Sequence, residues 1–201
     1  DASGDDIVWI LDQQVRVHSG WTLTIEPGVT VYATPKTTNP STRVLNTDAP
    51  ALIIKQGAKI MAQGTAALPI TFTAMNAEYV SGSQVNTATN TLENVVLETR
   101  GKWGGLILLG NAPIASTTGS STIEGLTSGD TYGGSDTTDD SGTIKYVRIW
   151  HGGAYVSSDN EINGLTMGGV GSGTTIEHVE VAFNAGDGFE FFGGTVDVKY
   201  L

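Results

Sequence analysis

The sequence predicts an all-β chain that folds as a single-domain, right-handed parallel β-helix, also called a β-solenoid. Three observations point to this fold class. The chain is rich in Gly, Thr, Val and Ile, strand-like segments recur along it, and two-residue hairpin turns are scarce. A β-sandwich, the competing all-β architecture, needs antiparallel hairpins, so the solenoid is the favoured interpretation.

The composition supports a folded β domain. Apolar residues make up 39% of the 201 residues, which is typical of a globular protein and argues against disorder. Charged residues make up only 15%, and 27 glycines supply turns. No window combines the apolar spacing of a helix with good helix formers.

A first repeat lies in the N-terminal half. Residues 22–33 (TLTIEPGVTVYA) align with residues 51–62 (ALIIKQGAKIMA) at an offset of 29. Each copy resembles two short alternating strands on either side of a turn glycine, Gly28 or Gly57. This alignment predicts that Leu23 stacks on Leu52 in the next coil.

Two further repeats lie in the C-terminal half. Leu165 and Phe189 begin similar runs at an offset of 24, and Leu106 begins a third such run. A second strand type begins at Thr143 and recurs after 32 residues and then after 20 more, at residue 195. Unequal offsets indicate coils that are joined by loops of different lengths.

The repeats define one domain, residues 1–201, because a coil of roughly 20–25 residues buries too little apolar surface to fold alone. Polar segments interrupt the stack as long irregular loops. We expect loop insertions near residues 34–50, 77–91 and 116–142, where the sequence is rich in Ser, Thr, Asn and Gly or Pro.

Charge and composition exclude several classes of partner. The net charge is −11, from 21 acidic and 10 basic residues, so neither nucleic acid nor an anionic membrane surface is an expected partner. There is no cysteine, which excludes disulfides and thiolate metal sites. No apolar stretch approaches the roughly 20 residues of a membrane helix. The polar residues 1–6 are interpreted as the mature N-terminus of an exported protein.

Acidic turns are the candidate binding residues. Calcium takes oxygen ligands from loop carboxylates and carbonyls, so these turns predict that calcium is a possible cofactor. Solvated turns with Asx caps are the alternative interpretation. The candidate metal ligands are Asp130, Asp136, Asp139 and Asp140 in one loop, and Asp187 with Glu190 beside a glycine corner.

Carboxylate pairs also allow a catalytic alternative. Asp139 with Asp140, or Asp187 with Glu190, could cut a glycosidic bond, and Lys145 or Arg148 could act as the base of a lyase. No sequence signature of a lyase or hydrolase surrounds them, so no catalytic residue is assigned. The four tryptophans could stack on sugars, but packing in the core or over coil ends is the favoured interpretation.

Four motifs together resemble a large family of secreted bacterial proteins with β-helical repeats. The motifs are residues 21–28 (WTLTIEPG), 103–114 (WGGLILLGNAPI), 161–171 (EINGLTMGGVG) and 189–196 (FEFFGGTV). The resemblance spans nearly the whole chain. It implies an exported bacterial protein, located extracellularly or at the cell surface, and it supplies no catalytic residues.

The predicted function is therefore an extracellular structural or adhesive module without enzymatic activity. The alternatives are a carbohydrate-active enzyme, either a polysaccharide lyase or a hydrolase, and a module that binds cell-surface glycans. Family members continue with further coils, whereas this sequence stops at Leu201 within a strand-like run. The expectation is either a fragment or self-association end to end into filaments.

Overall fold

A computed structural model of the protein describes residues 8–35, 49–75, 100–123, 126, 129–156 and 161–201. All the secondary-structure elements in these described residues are β-strands, which confirms the all-β prediction. None of them forms a helix suited to crossing a membrane. The strands are β1 (Trp9–Leu11), β2 (Gln14–Val17), β3 (Thr22–Ile25), β4 (Thr30–Ala33), β5 (Ala51–Ile54), β6 (Lys59–Gln63), β7 (Ile70–Ala74), β8 (Leu106–Leu109), β9 (Ser121–Thr122), β10 (Thr131–Tyr132), β11 (Gly142–Trp150), β12 (Leu165–Gly168), β13 (Thr175–Ala182), β14 (Phe189–Phe192) and β15 (Val198–Lys199).

Three ladders of strands form the three faces of the molecule. Face one contains β2, β5, β8, β12 and β14 in stacking order. Face two contains β3, β6, the first half of β11, the first half of β13, and β15. Face three contains β1, β4, β7 and the second halves of β11 and β13. Every pairing in these ladders is parallel, which confirms a parallel β-helix.

One pass over the three faces is one coil. Coil one is β2–β4, coil two is β5–β7, coil three runs from β8 to β11, coil four is β12–β13 and coil five is β14–β15. In coils three and four, faces two and three are the halves of one bent strand. The bend lies at Tyr146 in β11 and at His178 in β13, which have positive φ of 50° and 54°.

The main apolar core runs through the inside of the coils. Alternate residues of each strand point into it, such as Ile60 and Ala62 of β6 and Ile70 and Phe72 of β7. Parallel register places inward residues over one another, for example Val31 over Phe72. Each large buried side chain contributes about 1.5–3 kcal/mol of hydrophobic free energy, and stacking is what buries it.

The C-terminal repeats stack as the sequence predicts. Leu165 pairs with Phe189 at the offset of 24, and Leu165 also pairs with Leu106 on its other side. Thr143 pairs with Thr175 at the offset of 32. These three predicted equivalences are confirmed.

The last repeat is displaced by two residues. The offset of 20 would pair Ile176 with Val196, whereas Ile176 pairs with Val198. Side chains alternate between the two sides of a strand with a period of two, so this shift keeps inward residues inward. Both valines accordingly pack against the core.

The N-terminal repeat is wrong in its register. Leu23 pairs with Ile60 on face two, while Leu52 pairs with Val15 on face one. Both pairs are separated by 37 residues rather than 29. Leu23 and Leu52 therefore lie on different faces.

Turn chemistry explains this wrong alignment. The first segment, β3–β4, crosses the corner between faces two and three, whereas the second, β5–β6, crosses the corner between faces one and two. Gly28 and Gly57 occupy these two corners with positive φ of 83° and 74°. Because both corners require a residue with positive φ, both carry glycine, and in the sequence the two different corners resemble two copies of one corner.

Residues 111–141, which belong to the long connection between β8 and β11, are called the strap below, and they overlap the insertion expected near 116–142. Its described residues include the antiparallel hairpin β9–β10, and they lie over face one. The insertion expected near 77–91 lies outside the described residues, as do residues 36–48 of the insertion near 34–50. The assignment of residues 1–201 to one domain stays a prediction.

Candidate functional site

The outer surface of face one carries a row of side chains that passes through all five coils. Register places Arg16 beside Ile53, then Ile107, then Thr166, then Glu190. They point outward because the flanking residues of the same strands, one on each side in β2, β5, β8 and β12, pack in the core. The row is basic at one end, apolar in the middle and acidic at the other.

The strap covers the apolar part of this row. Because both sides of β5 and β8 are buried, their sequences are continuous apolar runs rather than alternating ones. A second apolar cluster forms outside the coils from face one, the strap and the segment after β11. Its buried members are Ala51, Ile53, Ile107, Leu109, Ile123, Tyr132, Val156 and Ile162.

Asp130 joins the strap to the first two coils. Asp130 is only 1% exposed, and its carboxylate accepts hydrogen bonds from Arg16 Nε at 3.0 and 3.1 Å and from Arg16 Nη2 at 2.6 Å. Lys55 Nζ lies 3.3 Å from the same carboxylate and donates to the Gly129 carbonyl at 2.9 Å. Burial raises the pKa of Asp130, but the hydrogen bonds and charges of Arg16 and Lys55 outweigh burial and lower that pKa.

The other three aspartates of the strap also have structural contacts. Asp140 forms an ion pair with Lys59, whose hydrogen bond lowers the pKa of Asp140. Asp139 is buried and accepts hydrogen bonds from Asn111 Nδ2 at 2.9 Å and Ser141 Oγ at 3.3 Å. A further carboxylate closes an Asx turn, since Asp136 Oδ1 accepts the backbone N–H and hydroxyl of residue 138 at 3.0 and 2.8 Å.

Asp187 and Glu190 lie at the acidic end of the outer row. Asn163 links them, because its Nδ2 donates to Glu190 Oε2 and its Oδ1 accepts the Asp187 backbone N–H at 2.6 Å. Thr166, beside Glu190 in register, is 1% exposed, and its hydroxyl has no hydrogen-bond partner. This corner is therefore the most oxygen-rich part of the outer row.

The structure divides the six predicted ligands into separate places. Asp130 contacts coils one and two, Asp136, Asp139 and Asp140 belong to the other end of the strap, and Asp187 with Glu190 belongs to coil five. Within the described residues, no three Asp, Glu or His side chains are grouped so that they could hold a metal ion. Calcium binding stays a prediction.

Two stacks of rings mark the corners of face three, and the sequence interpretation missed them. Tyr146, His178 and Tyr200 form one stack with ring centroids 4.4 Å apart at both steps, and His151 stacks on Phe183 at 5.1 Å. These five are the non-glycine residues with positive φ in the described chain. The left-handed conformation costs a non-glycine residue about 1–2 kcal/mol, which ring stacking at about 0.5–1.5 kcal/mol per pair partly offsets.

A signal for the ring stacks was present in the confirmed repeat. The offset of 32 that aligns β11 with β13 also places residue 146 opposite 178 and residue 151 opposite 183. Those aligned positions all carry rings. His178 has both ring faces covered by tyrosines, so it acts in packing between coils.

The basic residues considered for a lyase lie away from Asp187 and Glu190. Lys145 forms an ion pair with Glu177 at 3.1 Å on face two, and its hydrogen bond lowers the pKa of Glu177. Arg148 lies over the ring of Trp150 at 5.4 Å on face three, 3.9 Å from the carboxylate of Glu180. Both basic residues thus join coils three and four, whereas Asp187 and Glu190 belong to face one and the turn before it.

The tryptophans do not share one surface. Trp103 is fully buried and stacks on Phe72 at 6.4 Å, which agrees with packing in the core. Trp9 and Trp21 are 57% and 72% exposed in the N-terminal part of the stack. A platform made of all four tryptophans is therefore not formed.

The comparisons with known proteins agree with this architecture. A family model described as a pectate-lyase-like β-helix domain matches residues 4–201. Searches of curated proteins and of solved structures gave no match.

Proposed function

We propose that this chain, which belongs to the family of pectate-lyase-like β-helix domains, serves as a structural or adhesive β-helical module of a secreted or surface protein of a bacterium, without enzymatic activity. The observation that carries this proposal is the strap on face one. A flat, accessible outer row would be a natural binding groove for a polymer. In this chain its apolar centre is covered by the chain itself.

The engagement of the carboxylates supports the same proposal. A catalytic carboxylate has to meet a substrate, and a pair of them needs a defined separation. Asp130 and Asp140 instead form ion pairs with basic residues of the coils, and Asp139 accepts two side-chain hydrogen bonds. These contacts hold the strap in place.

The second candidate function is a carbohydrate-active enzyme or a glycan-binding module. The description of the family favours it, since it likens the domain to pectate lyase. Asn163, Asp187 and Glu190 would carry it, because their end of the row contains polar groups and the buried hydroxyl of Thr166.

Incubation with acidic polysaccharides separates a structural, adhesive or glycan-binding module from a carbohydrate-active enzyme. We expect the purified chain, with calcium present, to bind insoluble polysaccharide or cell-wall material in co-sedimentation without releasing unsaturated or reducing sugar ends. The matched variants are Glu190→Gln and Glu180→Gln, the second on face three rather than face one. Product that the wild-type chain and Glu180→Gln release, and Glu190→Gln does not, would establish the enzyme instead.

Self-association end to end is part of the structural proposal. Phe191 of β14 is 46% exposed, although its partner across the ladder, Met167, is buried. We expect the sedimentation coefficient of the 201-residue chain to rise with concentration and Phe191→Asp to remove that rise. Leu68→Asp is the control, because Leu68 is 56% exposed on a turn between β6 and β7. A monomer at every concentration would contradict this part of the proposal.

A further inference from the structure

A stack of coils without further connections has only contacts between neighbours. Its stability is then a sum of local terms, and coils can open one after another from either end. The strap changes this arrangement, because it contacts coils that do not touch each other.

The N-terminal anchors of the strap lie on coil one and at the end of the face-one strand of coil two. Asp130 binds Arg16 of β2, and the Gly129 carbonyl accepts a hydrogen bond from Lys55, the residue after β5. Gln56 adds a second connection at coil two, since its Nε2 donates to the carbonyl of Gly133 at 2.9 Å. Asp130 and Arg16 are separated by 114 residues in sequence.

The C-terminal anchors lie on coils four and five. The ring of Tyr132 packs against Gly168 of β12, where an added Cβ would lie 2.6 Å from the ring. The same ring lies 5.9 Å from that of Phe192 in β14. The Thr137 carbonyl accepts hydrogen bonds from Ser172 N at 3.0 Å and from Thr195 Oγ1.

We infer that the strap is a lateral staple that couples coils one and two to coils four and five, so that the stack opens as one unit rather than coil by coil. The coupling arises because coil two cannot separate from coil three while the strap remains bound to both ends of the row. This inference does not depend on the proposed function. It describes how the fold resists opening along its axis.

Native-state hydrogen exchange of two central strands tests the staple. In the wild-type chain, we expect the slowest amides of β5 in coil two and of β12 in coil four to show equal protection. Asp130→Asn removes the charge that holds Arg16 and Lys55, which are both partly exposed and can be solvated. We expect exchange in β5 to become roughly tenfold to a hundredfold faster while exchange in β12 stays unchanged.

A reciprocal variant tests the other end of the strap. Thr195→Val keeps the side-chain shape and removes the hydrogen bond to the Thr137 carbonyl. We expect it to speed exchange in β14 of coil five without affecting β5. This variant also keeps the inference testable if Asp130→Asn fails to fold.

The control is Lys145→Gln, which removes an ion pair between neighbouring coils three and four that does not involve the strap. We expect this change to leave the ratio of exchange rates between β5 and β12 as in the wild type. Unequal protection of β5 and β12 in the wild-type chain, or no acceleration of β5 by Asp130→Asn, would overturn the staple.

Discussion

The ring stack at the bend of face two into face three gives a prediction with an unusual sign. Glycine normally weakens a strand by about 0.5–1 kcal/mol relative to alanine. His178 has a φ of 54°, a conformation that costs alanine about 1–2 kcal/mol and glycine almost nothing. At this position we therefore expect His178→Gly to be more stable than His178→Ala.

The magnitude follows from the contacts of the ring. Both variants lose the stacking of His178 on Tyr146 and Tyr200, worth together about 1–3 kcal/mol. His178→Gly also removes the backbone strain, which exceeds the entropic cost of glycine by about 0.5–1 kcal/mol. For a chain of this size, each kcal/mol corresponds to about 2–4 °C in Tm.

Thermal and urea unfolding followed by circular dichroism would measure both variants. The matched control is Thr175, an outward residue at the start of the same strand. There alanine should be the more stable substitution, so Thr175→Ala should have a higher free energy of unfolding than Thr175→Gly. A third variant, His178→Phe, should have the stability closest to that of the wild type because it keeps a ring in the stack. If alanine is as stable as glycine at residue 178, the argument from strain and stacking is refuted.

Three further predictions concern packing, charge and ion binding. Gly142→Ala should destabilise the fold by at least about 2 kcal/mol in urea unfolding, because the added Cβ would lie 2.0 Å from the Ile60 carbonyl oxygen. The control is Gly119→Ala, whose Cβ meets nothing within 4 Å and which should cost only about 1–2 kcal/mol for its positive φ. Equal costs would contradict the close approach. Asp130→Asn should lower the free energy of unfolding by about 1.5–3 kcal/mol at neutral pH. The folded pKa of Asp130 lies below the ordinary value of an aspartate, so its stabilisation is present above that ordinary value and disappears as pH falls through the folded pKa. The wild type and the variant should therefore converge in acid unfolding, and a constant difference would speak against the ion pair. If calcium binds at the acidic end of the outer row, chelator should lower the Tm of the wild type and leave Glu190→Gln unchanged, and no shift in either chain would exclude that site.

Much of the fold could be predicted from the sequence because the stacking of coils repeats local chemistry. Leu165 and Phe189 begin strand-like segments of similar length that both end at glycines, and the two residues pair as expected. The alignment of Leu23 with Leu52 failed because every corner of a coil selects similar turn residues, so local similarity does not reveal which corner a segment occupies.

The arrangement of the candidate site could not be predicted for a different reason. The acidic residues of the strap looked like a ligand set because they are close in sequence. In the fold, Asp130 forms an ion pair with Arg16, 114 residues away in sequence, and Asp140 forms one with Lys59, 81 residues away. Such pairs depend on how the strap crosses face one, which local pattern does not encode.

The register of the N-terminal coils tests the stacked-coil account most directly, since two alternative offsets predict different neighbours. The chain has no cysteine, so engineered pairs report without background. Thr22 and Lys59 are partners across face two, and Thr22→Cys with Lys59→Cys should form a disulfide readily on mild oxidation of the folded protein. Thr22→Cys with Ala51→Cys, the pair at the offset of 29, should remain reduced. Cross-linking of the second pair and not of the first would contradict the account.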